Sequence, residues 1–100
     1  MLIVQKYGGT SVGNLERIEE VAKRVIATKD AGHDVVVVVS AMSGVTNQLI
    51  EYAEHFAGVQ PQSADMDMLL SSGERVTSSL LSIALNSKGY KAVSFSGDMA

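Results

Sequence analysis

The sequence predicts an α/β fold built on a parallel sheet with helices on both faces. Strand-like and helix-like stretches alternate in the order β-α-β-α-α-β, and no stretch repeats another. The second strand-like run, residues 35–39, is five valines without polar alternation, a pattern typical of a strand covered on both faces. Ligands of such sheets bind beyond the carboxyl ends of the strands, so the loops at that edge are the candidate site.

The composition fits a single globular domain and excludes several functions. The chain has 100 residues, of which 46% are hydrophobic, enough for one core. Its net charge is −3 and its lysines and arginines form no cluster, which argues against a nucleic-acid partner. The sequence has no cysteine for disulfide or thiolate chemistry, and no apolar run approaches the ~20 residues that span a bilayer. We therefore expect a cytoplasmic protein without a membrane partner.

The first candidate site follows the first predicted strand, which comprises residues 2–4. Lys6 and the pair Gly8 and Gly9 come directly after it, and a helix begins soon afterwards. The glycines allow a turn with positive φ and bring backbone N–H groups close to a ligand, while the lysine and the helix start attract negative charge. This stretch predicts a phosphate cradle or, alternatively, an ordinary strand-to-helix turn with a solvated lysine. Neither a G-x-x-x-x-G-K-[ST] loop nor a G-x-G-x-x-G fingerprint is present.

Amphipathic helices are predicted after the first and second strands. The first begins at Ser11 or Asn14, both good N-caps, and ends at Gly32 in a left-handed conformation. Its apolar stripe comprises Leu15, Ile18, Val21, Ala22, Val25 and Ile26. The second spans about residues 45–57 and is followed by an irregular loop that starts at Gly58.

A third helical region and a third strand complete the predicted order. The helical region covers residues 65–88 and is expected to kink or break near Gly73. Gly89 caps it, residues 90–95 are predicted to form the strand, and residues 96–98 form its exit loop. Because this strand would join the same sheet, all three strand-end loops are expected at one edge.

The loop after the valine strand is rich in side chains that form hydrogen bonds. The residues in it and at the start of the next helix are Ser40, Ser43, Thr46 and Asn47. A capping role explains Ser43 alone. Four polar side chains at the mouth of a sheet also predict a site for a small polar ligand.

Glu74 is expected at the edge of an apolar helix stripe, between Leu70 and Leu81. A carboxylate near a buried face is costly without a cation, so Arg75, another basic group or a ligand ammonium is expected beside it. The alternative is a boundary glutamate that reaches water. Neither histidine has a partner at metal-ligand spacing and no serine has a His/Asp partner, so we predict neither a protein metal site nor nucleophilic catalysis.

Three stretches, in this order, resemble the N-terminal signatures of the aspartokinase family. They are residues 6–11 (KYGGTS), residues 37–47 (VVVSAMSGVTN) and residues 72–75 (SGER). The first, in looser form, is shared across the amino acid kinase superfamily. The second is similar to aspartokinases rather than to the acetylglutamate, glutamate or nucleoside-monophosphate members. The resemblance runs from residue 1 to about residue 97.

The resemblance implies a three-layer αβα sandwich with a mainly parallel sheet, the amino acid kinase fold. It implies transfer of the γ-phosphoryl group of ATP to the side-chain carboxylate of L-aspartate, the first step of lysine, threonine and methionine biosynthesis. Mg²⁺ would be bound through the nucleotide. The implied ATP contacts are Lys6, Tyr7, Gly8 and Gly9, with Lys6 as the catalytic residue. The implied contacts to L-aspartate are Ser40, Thr46 and Glu74.

The resemblance also implies that residues 1–100 are only the N-terminal part of a catalytic domain. Family members are much longer, and their second half supplies the nucleotide-base pocket and further substrate contacts, followed by regulatory ACT domains. We therefore expect the chain to be inactive alone, as a segment of an oligomeric parent enzyme. The alternatives are another amino acid kinase, such as one for acetylglutamate, and a phosphate-ligand binding module without catalysis.

Overall fold

Two strands and three helices make up the described part of the chain. The computed structural model describes residues 1–57 and 63–95. In chain order the elements are β1 (Leu2–Tyr7), α1 (Leu15–Asp30), β2 (Asp34–Val39), α2 (Val45–Ala57) and α3 (Ser63–Ser87). None of the helices in these ranges is long and apolar enough to cross a bilayer. The loop predicted from Gly58 and the exit loop predicted at residues 96–98 lie outside the described residues.

β1 and β2 pair in parallel, which confirms the predicted class of fold. Leu2 lies opposite Asp34 and Tyr7 lies opposite Val39, so the two strands start and end together. Parallel strands need a crossover between them, and α1 provides it. Because both strands run in the same direction, the loops that follow Tyr7 and Val39 leave the sheet at the same edge.

In the described part of the chain, helices cover one face of this sheet. Side chains alternate along each strand, and the covered face of β2 carries Val35, Val37 and Val39. On the other face, Val36 and Val38 are 47% and 46% exposed. The valine run predicts cover on both faces. In the described residues only one face of β2 is covered, because α1 and α3 pack on the same side of the sheet. Helix α2 packs on α3 and contacts neither described strand.

Asn14 begins α1. Its side-chain Oδ1 accepts a hydrogen bond from the Arg17 N–H at 2.8 Å, which satisfies one of the free donors of the first turn. Asn14 is therefore the cap, and the alternative at Ser11 is wrong. Gly32, with a φ of +96°, follows the last turn as predicted.

The core lies between α1, α3 and the turn before α1. Four residues of the predicted stripe are buried: Ile18, Val21, Ala22 and Val25. Leu15, predicted to join them, sits at the first position of α1 and is 64% exposed. Val12 in the preceding turn is fully buried instead, and Leu81 and Leu85 of α3 complete the cluster.

α3 runs without interruption through Gly73. The predicted break there is wrong, because the missing side chain serves packing: a Cβ on Gly73 would lie 2.9 Å from the Cβ of Ala41. One turn further on, Thr77 is fully buried and its Oγ1 donates a hydrogen bond to the Gly73 carbonyl at 3.1 Å. Gly89, with a φ of +87°, follows the helix as predicted.

Residues 90–95 do not form the predicted third strand. Their hydrogen bonds go to the helices, so no ladder forms with β2 in the described residues. The Asn86 Nδ2 donates to the Ala92 carbonyl at 2.9 Å, and the Asn86 Oδ1 accepts from the Ala92 N–H at 3.2 Å. The Tyr90 hydroxyl donates to the Asp30 Oδ1 at 2.7 Å. The segment is therefore attached to the ends of α1 and α3.

The Tyr90–Asp30 hydrogen bond predicts a pH dependence of this attachment. The bond to the Asp30 carboxylate raises the pKa of Tyr90 above its ordinary value of 10.0. Stability from a group whose pKa is higher in the folded state is fully present below the unfolded pKa and is lost as pH rises through the folded one. In an ultraviolet titration of the three tyrosines, we expect a late ionisation step that Tyr90→Phe removes. Tyr52→Phe is the control, and a late step that survives Tyr90→Phe would contradict the assignment.

Candidate active site

The loops that follow β1 and β2 are in direct contact. The Ser40 N–H donates to the Tyr7 carbonyl at 3.2 Å, and the Ser43 N–H donates to the Gly9 carbonyl at 3.2 Å. The first bond keeps the register of the β1–β2 ladder, and the second lies one residue out of that register. The predicted phosphate loop and the predicted hydroxyl-rich loop therefore share one rim.

Gly9 lies at this contact because no side chain fits there. A Cβ on Gly9 would lie 3.0 Å from the Ala41 carbonyl oxygen and 3.6 Å from the Ser43 nitrogen. At Gly8 no atom lies within 4 Å of the Cβ position, so the space there is open. Among the described residues, the glycines with positive φ are Gly32, Gly44 and Gly89. The predicted positive-φ turn at Gly8 and Gly9 is therefore wrong, and close approach of two backbones explains Gly9.

Lys6 stands near the end of β1 on the exposed face of the sheet. No salt bridge involves it within residues 1–57 and 63–95. Tyr7 turns to the covered face, where its hydroxyl donates to the Gln5 Oε1 at 2.8 Å. The ammonium of Lys6 is thus available to an anion at the rim, whereas the hydroxyl of Tyr7 is engaged by the protein.

The polar side chains of the second loop have no hydrogen-bond partner among the described residues. The Gln48 N–H donates to the carbonyl of Gly44, which has a φ of +86° and precedes the first residue of α2. Gly44 therefore holds the position before α2 and has no side chain to cap the helix, so the capping role for Ser43 is wrong. In the described part of the chain, the side chains here without an internal hydrogen bond are Ser40, Ser43, Thr46 and Asn47.

Gly73 brings α3 against the same loop. Its Cβ position lies 2.9 Å from the Ala41 Cβ, 3.3 Å from the Val45 Cγ1 and 3.7 Å from the Leu49 Cδ1. Ala41 is only 7% exposed, since one glycine approaches its carbonyl and the other its side chain. Glu74, the next residue of α3, is placed beside the rim by this contact.

Glu74 lines a cavity of about 220 Å³ next to the end of β2. The other lining residues are Val37, Val38, Val39, Ser71, Arg75, Ser78 and Phe95. Glu74 is exposed, and no salt bridge reaches it from the described residues. Arg75 is not its partner, because the guanidinium contacts the Ser71 Oγ at 3.4 Å and the Met68 carbonyl at 3.5 Å. A carboxylate and a guanidinium in one cavity suit a ligand that carries both charges.

The predicted site residues do not line one common pocket. The elements that carry them contact each other two at a time. The first loop bonds to the second, and the second packs on α3, but Ser40 and Thr46 do not line the cavity of Glu74. Sequence reasoning missed Ala41, whose importance lies only in its two glycine contacts. It also missed the cavity role of Ser71 and Ser78, although their spacing of one heptad places them on one helix face.

Comparison with known proteins assigns the chain to a class of kinase. The profile of the amino acid kinase family matches residues 1–98. The chain therefore belongs to the amino acid kinase family.

Aspartokinases from several bacteria are similar to this chain. The aspartokinase of Bacillus sp. (strain MGA3) and aspartokinase 2 of Bacillus subtilis (strain 168) are each 57% identical over 96 residues, 96% of this chain and 23% of theirs. The aspartokinase of Helicobacter pylori (strain ATCC 700392 / 26695) is 53% identical over 100 residues, all of this chain and 24% of its own length. The chain thus spans about a quarter of the length of these relatives.

A solved structure confirms the fold. The crystal structure of aspartate kinase from Synechocystis superposes with a TM-score of 0.91 at 48% sequence identity. The match covers 95% of this chain and 16% of that one. The described strands and helices are therefore part of an amino acid kinase fold.

The loop contact predicts different effects of alanine at two neighbouring glycines. Gly9→Ala places a methyl group 3.0 Å from the Ala41 carbonyl oxygen, so we expect a loss of about 1–3 kcal/mol in the free energy of unfolding. Gly8→Ala meets no atom and is the matched control, with a change within about 0.5 kcal/mol. Urea denaturation followed by circular dichroism measures both. Equal losses would show that close approach is not the reason for Gly9.

Proposed function

We propose that this chain is the N-terminal part of the catalytic domain of an aspartate kinase. The reaction transfers the γ-phosphoryl group of ATP to the side-chain carboxylate of L-aspartate and yields 4-phospho-L-aspartate. The observation that carries the proposal is the hydrogen bonding between the Gly9 loop and the Ser43 loop. Phosphoryl transfer depends mainly on positioning the donor beside the acceptor, and two touching loops at one rim provide adjacent sites. The similarity to bacterial aspartokinases supports the choice of acceptor.

The ATP phosphates would lie on the loop after β1. Lys6 supplies an ammonium there that forms no salt bridge with a described residue, and the space at Gly8 allows a phosphate to approach the backbone. Gly9 and Tyr7 complete this contact through their main chain. Lys6 is the proposed catalytic residue, because negative charge grows on the phosphate oxygens in the transition state and a fixed cation stabilises it.

L-Aspartate would lie on the loop after β2 and against α3. The hydroxyls of Ser40 and Thr46 bond to no described residue and could donate to its carboxylate oxygens. Glu74 forms no salt bridge with a described residue, so the α-ammonium of the substrate is its proposed partner. This favours aspartate over acetylglutamate, since an acetylated amino group carries no charge for Glu74 to bind.

Mg²⁺ would enter with the nucleotide and neutralise its phosphate oxygens. In residues 1–57 and 63–95 no group of three His, Cys, Asp or Glu side chains could hold a metal ion. The phosphate oxygens of ATP are therefore the proposed ligands in this half of the site. Lys6 and the metal share one task, which is to offset the charge of the triphosphate.

The proposed parent enzyme is a cytoplasmic oligomer. Its reaction opens the route to lysine, threonine and methionine, and residues 1–100 provide the first part of its kinase domain. The nucleotide-base pocket and the remaining substrate contacts would come from polypeptide that the longer relatives possess and these residues do not supply.

The proposal predicts that the 100-residue chain has no kinase activity of its own. A chimera in which this chain replaces the matching 96 residues of Bacillus subtilis aspartokinase 2 should be active, because it restores the missing half of the site. A coupled assay of ADP release with L-aspartate and MgATP measures both proteins. Robust turnover by the isolated chain would overturn the half-site proposal, and a folded but inactive chimera would overturn the aspartate kinase assignment.

Lys6→Ala in this chimera should lower kcat by about 10²–10³-fold, with a smaller change in the KM for L-aspartate. The reason is that the charge which Lys6 offsets increases in the transition state. Lys23→Ala is the control, since that ammonium bonds to Glu20 at 3.2 Å on the exposed side of α1. An effect of Lys6→Ala on KM alone would refute the catalytic role.

Glu74→Gln in the chimera should raise the KM for L-aspartate by about 10–100-fold and change kcat less. A charge-assisted hydrogen bond contributes roughly 1.5–3 kcal/mol, and each 1.4 kcal/mol corresponds to about tenfold in affinity. Glu51→Gln, an exposed carboxylate on α2, is the matched control. If both variants keep the original KM, Glu74 does not bind the ammonium of the substrate.

A further inference from the structure

A chain of three side-chain hydrogen bonds connects the end of β1 to α1. The Tyr7 hydroxyl donates to the Gln5 Oε1 at 2.8 Å, and the Gln5 Nε2 donates to the Thr28 Oγ1 at 2.8 Å. The Thr28 hydroxyl in turn donates to the Arg24 carbonyl of α1 at 3.1 Å. Each bond is donated in the same direction, from the strand towards the helix. We call the side chains of Tyr7, Gln5 and Thr28 the β1 tether.

Gln5 is a polar residue on the covered face of the sheet. Its partner in the strand pairing is Val37, one of the apolar residues that pack against the core. An amide on this half-buried face loses water on folding, and a neutral hydrogen bond contributes little net stability in return. An apolar side chain would pack there as Val37 does. The stability of the fold therefore does not explain a glutamine at this position.

Lys6 lies between two members of the β1 tether. Side chains alternate along a strand, so Gln5 and Tyr7 point to the helices while Lys6 points to the exposed face. In the part of the chain that the structure describes, no salt bridge or side-chain hydrogen bond holds the Lys6 ammonium. Its position is therefore set by the backbone of β1. The bond between Gln5 and Tyr7 links the residues on either side of Lys6, and Thr28 attaches both to α1.

The same stretch of backbone leads into the proposed phosphate loop. The Tyr7 carbonyl accepts from the Ser40 N–H at 3.2 Å, and the Gly8 carbonyl accepts from the Ser11 N–H at 3.1 Å. Tyr7 is thus held by the loop after β2 through its carbonyl and by Gln5 through its hydroxyl. Because a displacement of about 1 Å can lower the rate of an enzyme about 100-fold, the rigidity of this strand end matters for phosphoryl transfer.

We propose that Gln5 is a positioning residue of the kinase. Its bonds to Tyr7 and Thr28 fix the strand from which Lys6 reaches the ATP phosphates. The inference rests on the proposed function, because it concerns the placement of the ammonium to which catalysis is assigned there. Gln5 itself touches neither substrate, since it faces the helices on the side of the sheet opposite to Lys6.

Apolar replacement of the whole β1 tether separates positioning from stability. The triple variant Gln5→Met, Tyr7→Phe, Thr28→Val removes the polar groups together, so none of them is left buried without a partner. In the chimera with Bacillus subtilis aspartokinase 2, we expect kcat to fall by about 10-fold or more, with a smaller change in the KM for L-aspartate. The midpoint temperature of unfolding should stay the same.

Tyr52→Phe in the same chimera is the matched control. The Tyr52 hydroxyl accepts from the Gln48 Nε2 at 2.7 Å on the exposed surface of α2. This bond joins the same two residue types as the bond between Tyr7 and Gln5, but it does not attach a strand to a helix. Its loss should leave kcat unchanged.

A double-mutant cycle shows whether the β1 tether acts through Lys6. In a chimera that already carries Lys6→Ala, the triple change should lower kcat by less than about twofold further. The reason is that a tether which positions Lys6 has nothing to position once the ammonium is gone. A purely structural contribution would lower kcat equally in both backgrounds.

Crystal structures of the chimera and of its triple variant give a readout that needs no turnover. In the variant, residues 5–8 should be displaced or should have higher B-factors relative to α2. If the unmodified chimera is folded but inactive, the proposed function fails, and the two crystal structures still decide whether the tether fixes the strand.

Four results would overturn the positioning role of Gln5. They are an unchanged kcat in the triple variant, an equal loss of kcat with and without Lys6, and the same position and B-factors of residues 5–8 in both crystal structures. The fourth is a fall in the unfolding temperature of the triple variant, which would assign the tether to the stability of the fold.

Discussion

The geometry of the rim depends on the lack of space around Ala41. Gly9 approaches its carbonyl oxygen and Gly73 approaches its side chain, and in both cases a Cβ would come within about 3 Å. The loop after β1 and the middle of α3 are thereby positioned on the same residue of the loop after β2. Since this is done by backbone and methyl contacts, the polar side chains at the rim are not consumed by structural roles. Within residues 1–57 and 63–95, no salt bridge or side-chain hydrogen bond engages Lys6, Thr46 or Glu74.

Because packing contacts and polar groups are supplied by different residues, the site is rich in small residues. Close packing of loops against a helix needs positions without side chains, because interiors tolerate little overlap. The proposed kinase reaction brings two anionic substrates together, so the groups that bind them must come from elements that are held rigidly but are not themselves neutralised. In the described residues the rim meets both conditions, with small residues at the contacts and unpaired polar groups around them.

Features that depend on neighbouring residues were predictable from the sequence. The cap at Asn14, the left-handed glycines at Gly32 and Gly89 and the parallel pairing around the valine strand all follow from local chemistry and hydrophobic periodicity. The shared rim also follows, because parallel strands that are joined by a crossover helix deliver their ends to one edge.

Features that depend on distant residues were not predictable. Glycine disfavours a helix, so the sequence predicts a break at Gly73. The reason for a glycine there is the close approach of Ala41, which is distant in sequence. Residues 90–95 have the composition of a strand, but the Asn86 amide takes the backbone bonds of Ala92 that a neighbouring strand would otherwise take. Cover on the second face of β2 likewise depends on which elements reach it, and periodicity cannot specify that.

The double hydrogen bond of Asn86 has a consequence for how the protein ages. An amide side chain donates through its nitrogen and accepts through its oxygen. Asn86 uses its nitrogen for the Ser82 and Ala92 carbonyls and its oxygen for the Ala92 N–H. Slow hydrolysis of this amide to a carboxylate would keep the acceptor, remove the donor and set a negative charge against two carbonyl oxygens. Asparagine is among the residues most prone to such damage on heating. Storage time and temperature would then act on residues 90–95 before they act on the helical core.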